Sequence, residues 1–260
     1  MLDFAANVSL LFRERPLLER FDAARAAGFT AVELHFPYAD HARELSAAAR
    51  SAGVDVVLIN PPVTQEHRFG IACRHDLRAQ FLSDLDRAVE YAHALDVRHV
   101  NVLAGEAGDR PRAECRDVLV DSLLLASERL ATVGADVLLE PLNRYDMPGY
   151  LVDDFSLGGS IVDACVGRVG LQFDVYHSAR MGLEPLAALT AALSRVRHVQ
   201  FADAPGRHEP GTGRLRFEPL WELLREARYA GHVAAEYYPA ADTISGLGWL
   251  ERWRDPRARR

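Results

Sequence analysis

Four short apolar runs in the second half of the chain each deliver an oxygen-bearing side chain. V-L-L-E ends in Glu140, L-Q-F-D in Asp174, R-H-V-Q in Gln200 and V-A-A-E in Glu236. Three carboxylates brought to one place repel one another and raise each other's pKa unless a cation sits among them. Oxygen-only ligands of this kind suit a hard divalent ion, Mg²⁺ or Mn²⁺, better than zinc, which prefers His or Cys. Two glutamates entering from different strands, Glu140 and Glu236, can also hold a small substrate between them and trade general acid and base roles on adjacent carbons. His177 follows Asp174 in D-V-Y-H and is expected on the loop just beyond that strand, where its imidazole can hydrogen-bond a substrate oxygen. Arg207 is expected on the loop after Gln200, with a guanidinium fork able to take a substrate carboxylate. Gly211-Thr212-Gly213 would let a backbone pass close to a ligand. Glu33, His35 and Tyr38 mark the rim after one early strand and Asn60 the rim after the next, whereas His93 and His99 read as structural.

The elements that must position these groups alternate strictly. Short runs bounded by glycine or proline read as strands over Phe4–Leu10, Thr30–Phe36, Val54–Asn60, Arg98–Leu103, Asp136–Leu142, Val169–Val175, Val196–Ala202 and Gly231–Tyr237. Stretches with helical spacing lie between and after them, at Pro16–Ala27, Ala42–Ala52, Leu77–Leu95, Arg112–Val133, Asp153–Val166, Leu183–Leu193, Phe217–Tyr229 and Ile244–Trp253. Gly28 and Gly53 close the first two. Val63–His75 has no period and reads as a long loop, a length that is often functional. Eight strand–helix pairs predict an α/β fold, a single (β/α)₈ TIM barrel spanning residues 1–260. In such a barrel the C-terminal strand ends form the active site. That rule brings Glu140, Asp174, Gln200 and Glu236 to one rim. No G-x-G-x-x-G follows a strand, so a dinucleotide-binding open sheet is unsupported.

Composition narrows the partners. The 260 residues carry a net charge of -7 and 49% hydrophobic residues, with no basic block before the terminal R-A-R-R. A small-molecule ligand is expected, not a nucleic acid. Cys73, Cys115 and Cys165 are widely spaced without a C-x-x-C pair, as in reduced thiols. No apolar run reaches the ~18 residues of a membrane span, and M-L-D-F-A-A-N lacks a basic leader segment, so a cytoplasmic protein is expected. The aromatic stretch L-G-W-L-E-R-W is expected to pack on its own barrel, the alternative cover being a partner subunit in a homo-oligomer.

The motifs A-N-V-S-L-L-F at Ala6, G-F-T-A-V-E-L-H-F-P-Y at Gly28, G-I-A-C at Gly70, E-P-L-N-R-Y-D-M-P-G at Glu140, D-V-Y-H-S-A-R-M at Asp174 and Q-F-A-D-A-P-G-R-H-E-P-G-T-G at Gln200 resemble the hydroxypyruvate isomerase family of xylose-isomerase-like TIM barrels. The resemblance implies Glu140, Asp174, Gln200 and Glu236 as metal ligands, Glu140 and Glu236 as the catalytic acid/base pair, and His177 and Arg207 as groups lining the substrate site. It implies interconversion of small α-hydroxy carbonyl compounds, hydroxypyruvate with tartronate semialdehyde or, in a close branch, isomerisation of 2-oxo-tetronates, through an enediol. The chain departs from the family at I-N-P-P-V-T-Q-E-H-R-F-G-I-A-C, where Ile59 replaces the usual histidine and the following loop is shortened, and again at His208, where a glycine is usual. Those loops face the substrate, so its identity is less transferable than the chemistry. A metal-assisted hydride shift would use the same ligands. Three other readings compete: a ketose 3-epimerase, a metal-dependent endonuclease, and a non-catalytic sugar-acid binder.

Overall fold

The computed structural model describes residues 2–254, so the terminal R-A-R-R lies outside the described residues. Eight strands form first: β1 (Asp3–Asn7), β2 (Ala31–Leu34), β3 (Asp55–Ile59), β4 (His99–Asn101), β5 (Asp136–Leu139), β6 (Val169–Asp174), β7 (Val196–Phe201) and β8 (His232–Ala235). Each pairs in parallel with the next, and β8 returns to β1, closing a TIM barrel without an edge. The helices are α1 (Leu17–Ala26), α2 (Ala42–Ala52), α3 (Arg78–Leu95), α4 (Arg112–Ala131), α5 (Phe155–Ala164), α6 (Val175–Arg180), α7 (Pro185–Ala192), α8 (Glu218–Glu226) and α9 (Gly248–Arg254).

The strands are shorter than the sequence runs suggested, and this matters for the site. β5 stops at Leu139 and β8 at Ala235, so Glu140 and Glu236 stand one residue past the sheet, where the backbone is free to turn. Proline at 141 has no N–H to continue the ladder after Glu140. The structure also contains α6, where a loop was expected, because Asp174 caps its first turn.

Alternation along the strands sorts the barrel into two interiors. Outward residues such as Phe4, Val32, Val100 and Phe201 join the large core beneath the helices, whereas Ala5, Ala31, Val57 and Ala234 form a separate small-residue cluster. Above that cluster the barrel interior is polar and hydrogen-bonded across strands. Glu33, expected at a rim, is instead fully buried there: its carboxylate accepts from Asn7 Nδ2 and Gln200 Nε2 and contacts His198 Nε2. The C-terminal stretch packs on its own barrel, with Trp249 and Trp253 against Phe4, Phe201 and Trp221.

His99 is structural, as expected, and its burial has a cost in acid. Neither ring nitrogen has a hydrogen-bond partner, and burial, assisted by His198 and Arg98, pushes its pKa from the usual 6.5 down to about 2. The unfolded chain binds a proton at this ring below about 6.5, and the folded chain does not until the pH approaches the depressed value. Stability from this group is therefore complete above 6.5 and declines as pH falls. Urea unfolding between pH 6 and 4 is expected to give a slope shallower by up to about 1.4 kcal/mol per pH unit in His99→Met. An unchanged slope would refute this assignment.

Candidate active site

Each side chain at the open end is held by a neighbour on another element. Glu140, just past β5, is buried and its Oε2 accepts from Asn101 Nδ2 of β4 at 2.8 Å. Asp174 ends β6 and caps α6: its Oδ1 accepts from the backbone N–H of Tyr176 at 2.6 Å and of His177 at 3.2 Å. Its Oδ2 is buried with no hydrogen-bond partner. The capped turn carries His177 into the same space, so this residue sits on a helix and not on a loop. The Nδ1 of His177 accepts from the backbone N–H of Asn143 at 3.0 Å, which leaves the proton of the neutral ring on Nε2. That protonated nitrogen lies 3.8 Å from Asp174 Oδ2. Ligand-type atoms of Glu140, Asp174 and His177 all fall within 4.8 Å of one another.

Glu236, just past β8, has both carboxylate oxygens engaged. Its Oε2 accepts from Asn7 Nδ2 at 3.1 Å and sits 3.1 Å from His35 Nε2, while its Oε1 accepts from Arg207 Nη2 at 2.5 Å. Arg207 also reaches to 3.8 Å from Asp174 Oδ2 and stacks over Tyr176, 5.0 Å from the ring centroid. The loop that carries it is organised by buried Asp203, whose carboxylate accepts from the backbone N–H of Ala204, Gly211, Gly213 and Leu215. The close approach at Gly213 is therefore to this loop and not to a ligand: a Cβ there would meet Ala204 O at 2.2 Å.

Gln200 lies one layer deeper. Its Oε1 accepts from Gln172 Nε2 at 2.6 Å and its Nε2 donates to Glu33 Oε2 at 2.8 Å. Of the residues singled out in the sequence, the structure thus gathers Glu140, Asp174, His177, Glu236 and Arg207 around one opening, with Gln200 beneath. Asn7, Asn101 and Asn143 join them without having been expected there, although A-A-N and H-V-N place polar residues at strand ends as plainly as V-L-L-E does.

The electrostatics follow from burial. Glu140 is raised well above the usual carboxylate range by desolvation and by the charges of Glu236 and Asp174. Desolvation raises Asp174 to about 7 despite Arg207. Desolvation acts on Glu236 in the same direction, but His35 and Arg207 together hold it down at about 2. Burial keeps His177 neutral, lowered to about 3. An oxygen-rich donor set with one buried, unpaired carboxylate oxygen fits a hard divalent cation. His177 fits less well as a ligand, because its Nε2 carries the proton.

A cavity of about 300 Å³ opens above this cluster, lined by Glu140, His177, Arg207, Glu236, His35 and Arg68 among others. A larger one of about 490 Å³ lies outside the barrel between α5 and α7, where the charged groups Asp163 and Arg195 neutralise each other.

A family profile described as "Xylose isomerase-like TIM barrel" matches residues 21–253. The 2-oxo-tetronate isomerase of Cupriavidus necator is 36% identical over 95% of this chain and 97% of its own length. Hydroxypyruvate isomerase of Escherichia coli is 33% identical over 98% of this chain and 100% of its own. This chain belongs to the hydroxypyruvate isomerase family of xylose isomerase-like TIM barrels. A solved structure from Brucella melitensis, titled as an AP endonuclease of family 2, superposes with a TM-score of 0.94 at 34% identity, covering 98% of this chain and 100% of that one.

Proposed function

We propose that the protein is a metal-dependent isomerase that interconverts hydroxypyruvate and tartronate semialdehyde, or closely related 2-keto acids, by proton transfer through an enediol. One observation carries this reading: Glu140 and Glu236, from β5 and β8, line the same 300 Å³ cavity, with the Nε2–H of His177 directed into the cluster. The names of the relatives support a small hydroxy-carbonyl substrate.

Glu140 and Asp174, whose carboxylate oxygens lie within 4.8 Å of each other, would hold the cation, and the further proposed ligands are Glu236, whose oxygens here engage Arg207, Asn7 and His35, and Gln200, whose amide oxygen here engages Gln172. When bound, Mg²⁺ or Mn²⁺ supplies positive charge beside the reacting oxygens. The chain itself does the proton work. One glutamate removes the proton from the hydroxyl-bearing carbon, and the other returns a proton to the neighbouring carbon, the two exchanging roles with direction. The neutral His177, locked by Asn143, donates from Nε2 to a substrate oxygen and so eases the movement of charge between the two oxygens. Arg207 offsets the carboxylate charge around the site. The relative's nuclease title gains no support from a net charge of -7, and among the described residues a single group of metal-ligand side chains is gathered.

Incubation with hydroxypyruvate in D₂O is expected to put deuterium on carbon in product and recovered substrate, to stop with EDTA, and to resume with Mg²⁺ or Mn²⁺. A panel of three- to six-carbon keto acids and ketoses with no metal-dependent exchange would dispose of the proposal. Product analysis separates isomerisation from 3-epimerisation.

A further inference from the structure

The cavity contains a second arginine whose charge nothing in the site consumes. Arg68 belongs to the 63–69 segment after β3, the part of the chain that departs from the family pattern. It lines the same cavity as Glu140, His177 and Glu236. Its guanidinium lies over the Phe69 ring, 4.5 Å from the centroid, and Phe69 is buried. The acids around it are otherwise engaged: Glu66 faces His67, Asp146 faces Arg180, and Asp174 and Glu236 face Arg207. Among the described residues no carboxylate pairs with Arg68.

Arg207 presents the opposite case. Its Nη2 already serves Glu236 and approaches Asp174, so its charge is taken up by carboxylates of the chain itself. An incoming carboxylate therefore meets an uncompensated cation at Arg68 and a compensated one at Arg207. The contact with Phe69 restrains the guanidinium without using its N–H donors, which remain available to take a carboxylate in a two-pronged bond. The stem is fixed at its base: Gly70 packs so closely on the β4 loop that a Cβ would meet Leu103 O at 2.4 Å, and Gly70 bridges to Ala104.

From this geometry we infer that Arg68 is the carboxylate-binding residue of the site and selects a 2-keto acid over an uncharged ketose. The inference rests on the isomerase reading above and specifies its substrate class. The acid's carboxylate lies at Arg68, which turns the hydroxy-carbonyl end towards Glu140 and Glu236.

The test compares hydroxypyruvate with dihydroxyacetone, which has a hydroxymethyl group in place of the carboxylate, in the native protein and in Arg68→Gln, with deuterium exchange in Mn²⁺ as the readout. The variant is expected to raise KM for hydroxypyruvate about 10- to 100-fold, as loss of a charge-assisted pair does, with kcat within about twofold. Exchange into dihydroxyacetone, however slow, is expected to be unchanged, which also reports that the variant is folded. An unaltered KM for hydroxypyruvate in an active variant overturns the role of Arg68 and leaves the isomerase reading intact. Equal losses on both substrates overturn it as well. If the native protein exchanges neither substrate, the isomerase reading is what has failed. Calorimetric titration with hydroxypyruvate then decides Arg68 separately: weaker binding in Arg68→Gln upholds it, and equal binding removes it.

Discussion

Glu236→Gln and Glu140→Gln are each expected to lower turnover of hydroxypyruvate by about 10²- to 10⁴-fold, the range that a positioned general acid or base supplies. The amide keeps the shape of the side chain and an oxygen for its donors. Asn101 Nδ2 can still donate to residue 140, and at residue 236 the amide oxygen keeps one of the two donors, Arg207 Nη2 or Asn7 Nδ2. The proton-accepting oxygen is lost, so the fall should appear in kcat with the fold intact. Because both glutamates are also proposed ligands, the assay must be run at saturating Mn²⁺. Recovery of turnover at high metal would assign the residue to metal binding alone. Turnover within threefold of native at ordinary metal would remove the two-glutamate mechanism.

The second large effect concerns Arg207. Its guanidinium is the cation closest to a set of buried acids, at 2.5 Å from Glu236 and 3.8 Å from Asp174. Removing one partner of a buried ion pair strands the other charge and costs about 3–5 kcal/mol. Arg207→Leu in EDTA is therefore expected to lose that much unfolding free energy, roughly 10 °C in melting temperature for a chain of this size. Mg²⁺ or Mn²⁺ should restore part of the loss, because an ion bound only to the folded state stabilises it by mass action. Melting curves with and without metal measure both. A loss under about 1 kcal/mol in EDTA, or no response to metal, would show that Arg207 does not compensate the acids.

These residues also show how far sequence could reach. Glu140, Asp174, Gln200 and Glu236 were legible because each interrupts an apolar run at a strand end, and the barrel rule assigns all strand ends to one face. The fold was legible for the same reason, eight runs alternating with eight helical stretches. What the runs could not give was pairing. Asn7 meets Glu236 only because β8 closes onto β1, and the two lie at opposite ends of the chain. Glu33 reads in sequence as a rim residue, yet it stands inside the barrel, a position set by register with its neighbours. Arg207 reads in sequence as a loop arginine for a substrate carboxylate, since nothing in R-H-E-P-G-T-G announces Glu236 reaching it from just past β8. His177 was placed on a loop, although D-V-Y-H is also a capped helical turn.

The clamp at Gly70 divides inheritance of the barrel from inheritance of its appetite. The contact with Leu103 and the bridge to Ala104 pin the chain just after Phe69, so residues 63–69 hang between two fixed points. Insertions, deletions and replacements in that span can accumulate while the glutamates stay in register. Asp203 performs the same service for the loop after β7, gathering four backbone amides on one side chain. Such a scaffold would let the loop wall of the cavity change at a handful of positions while Glu140 and Glu236 keep their places at the strand ends.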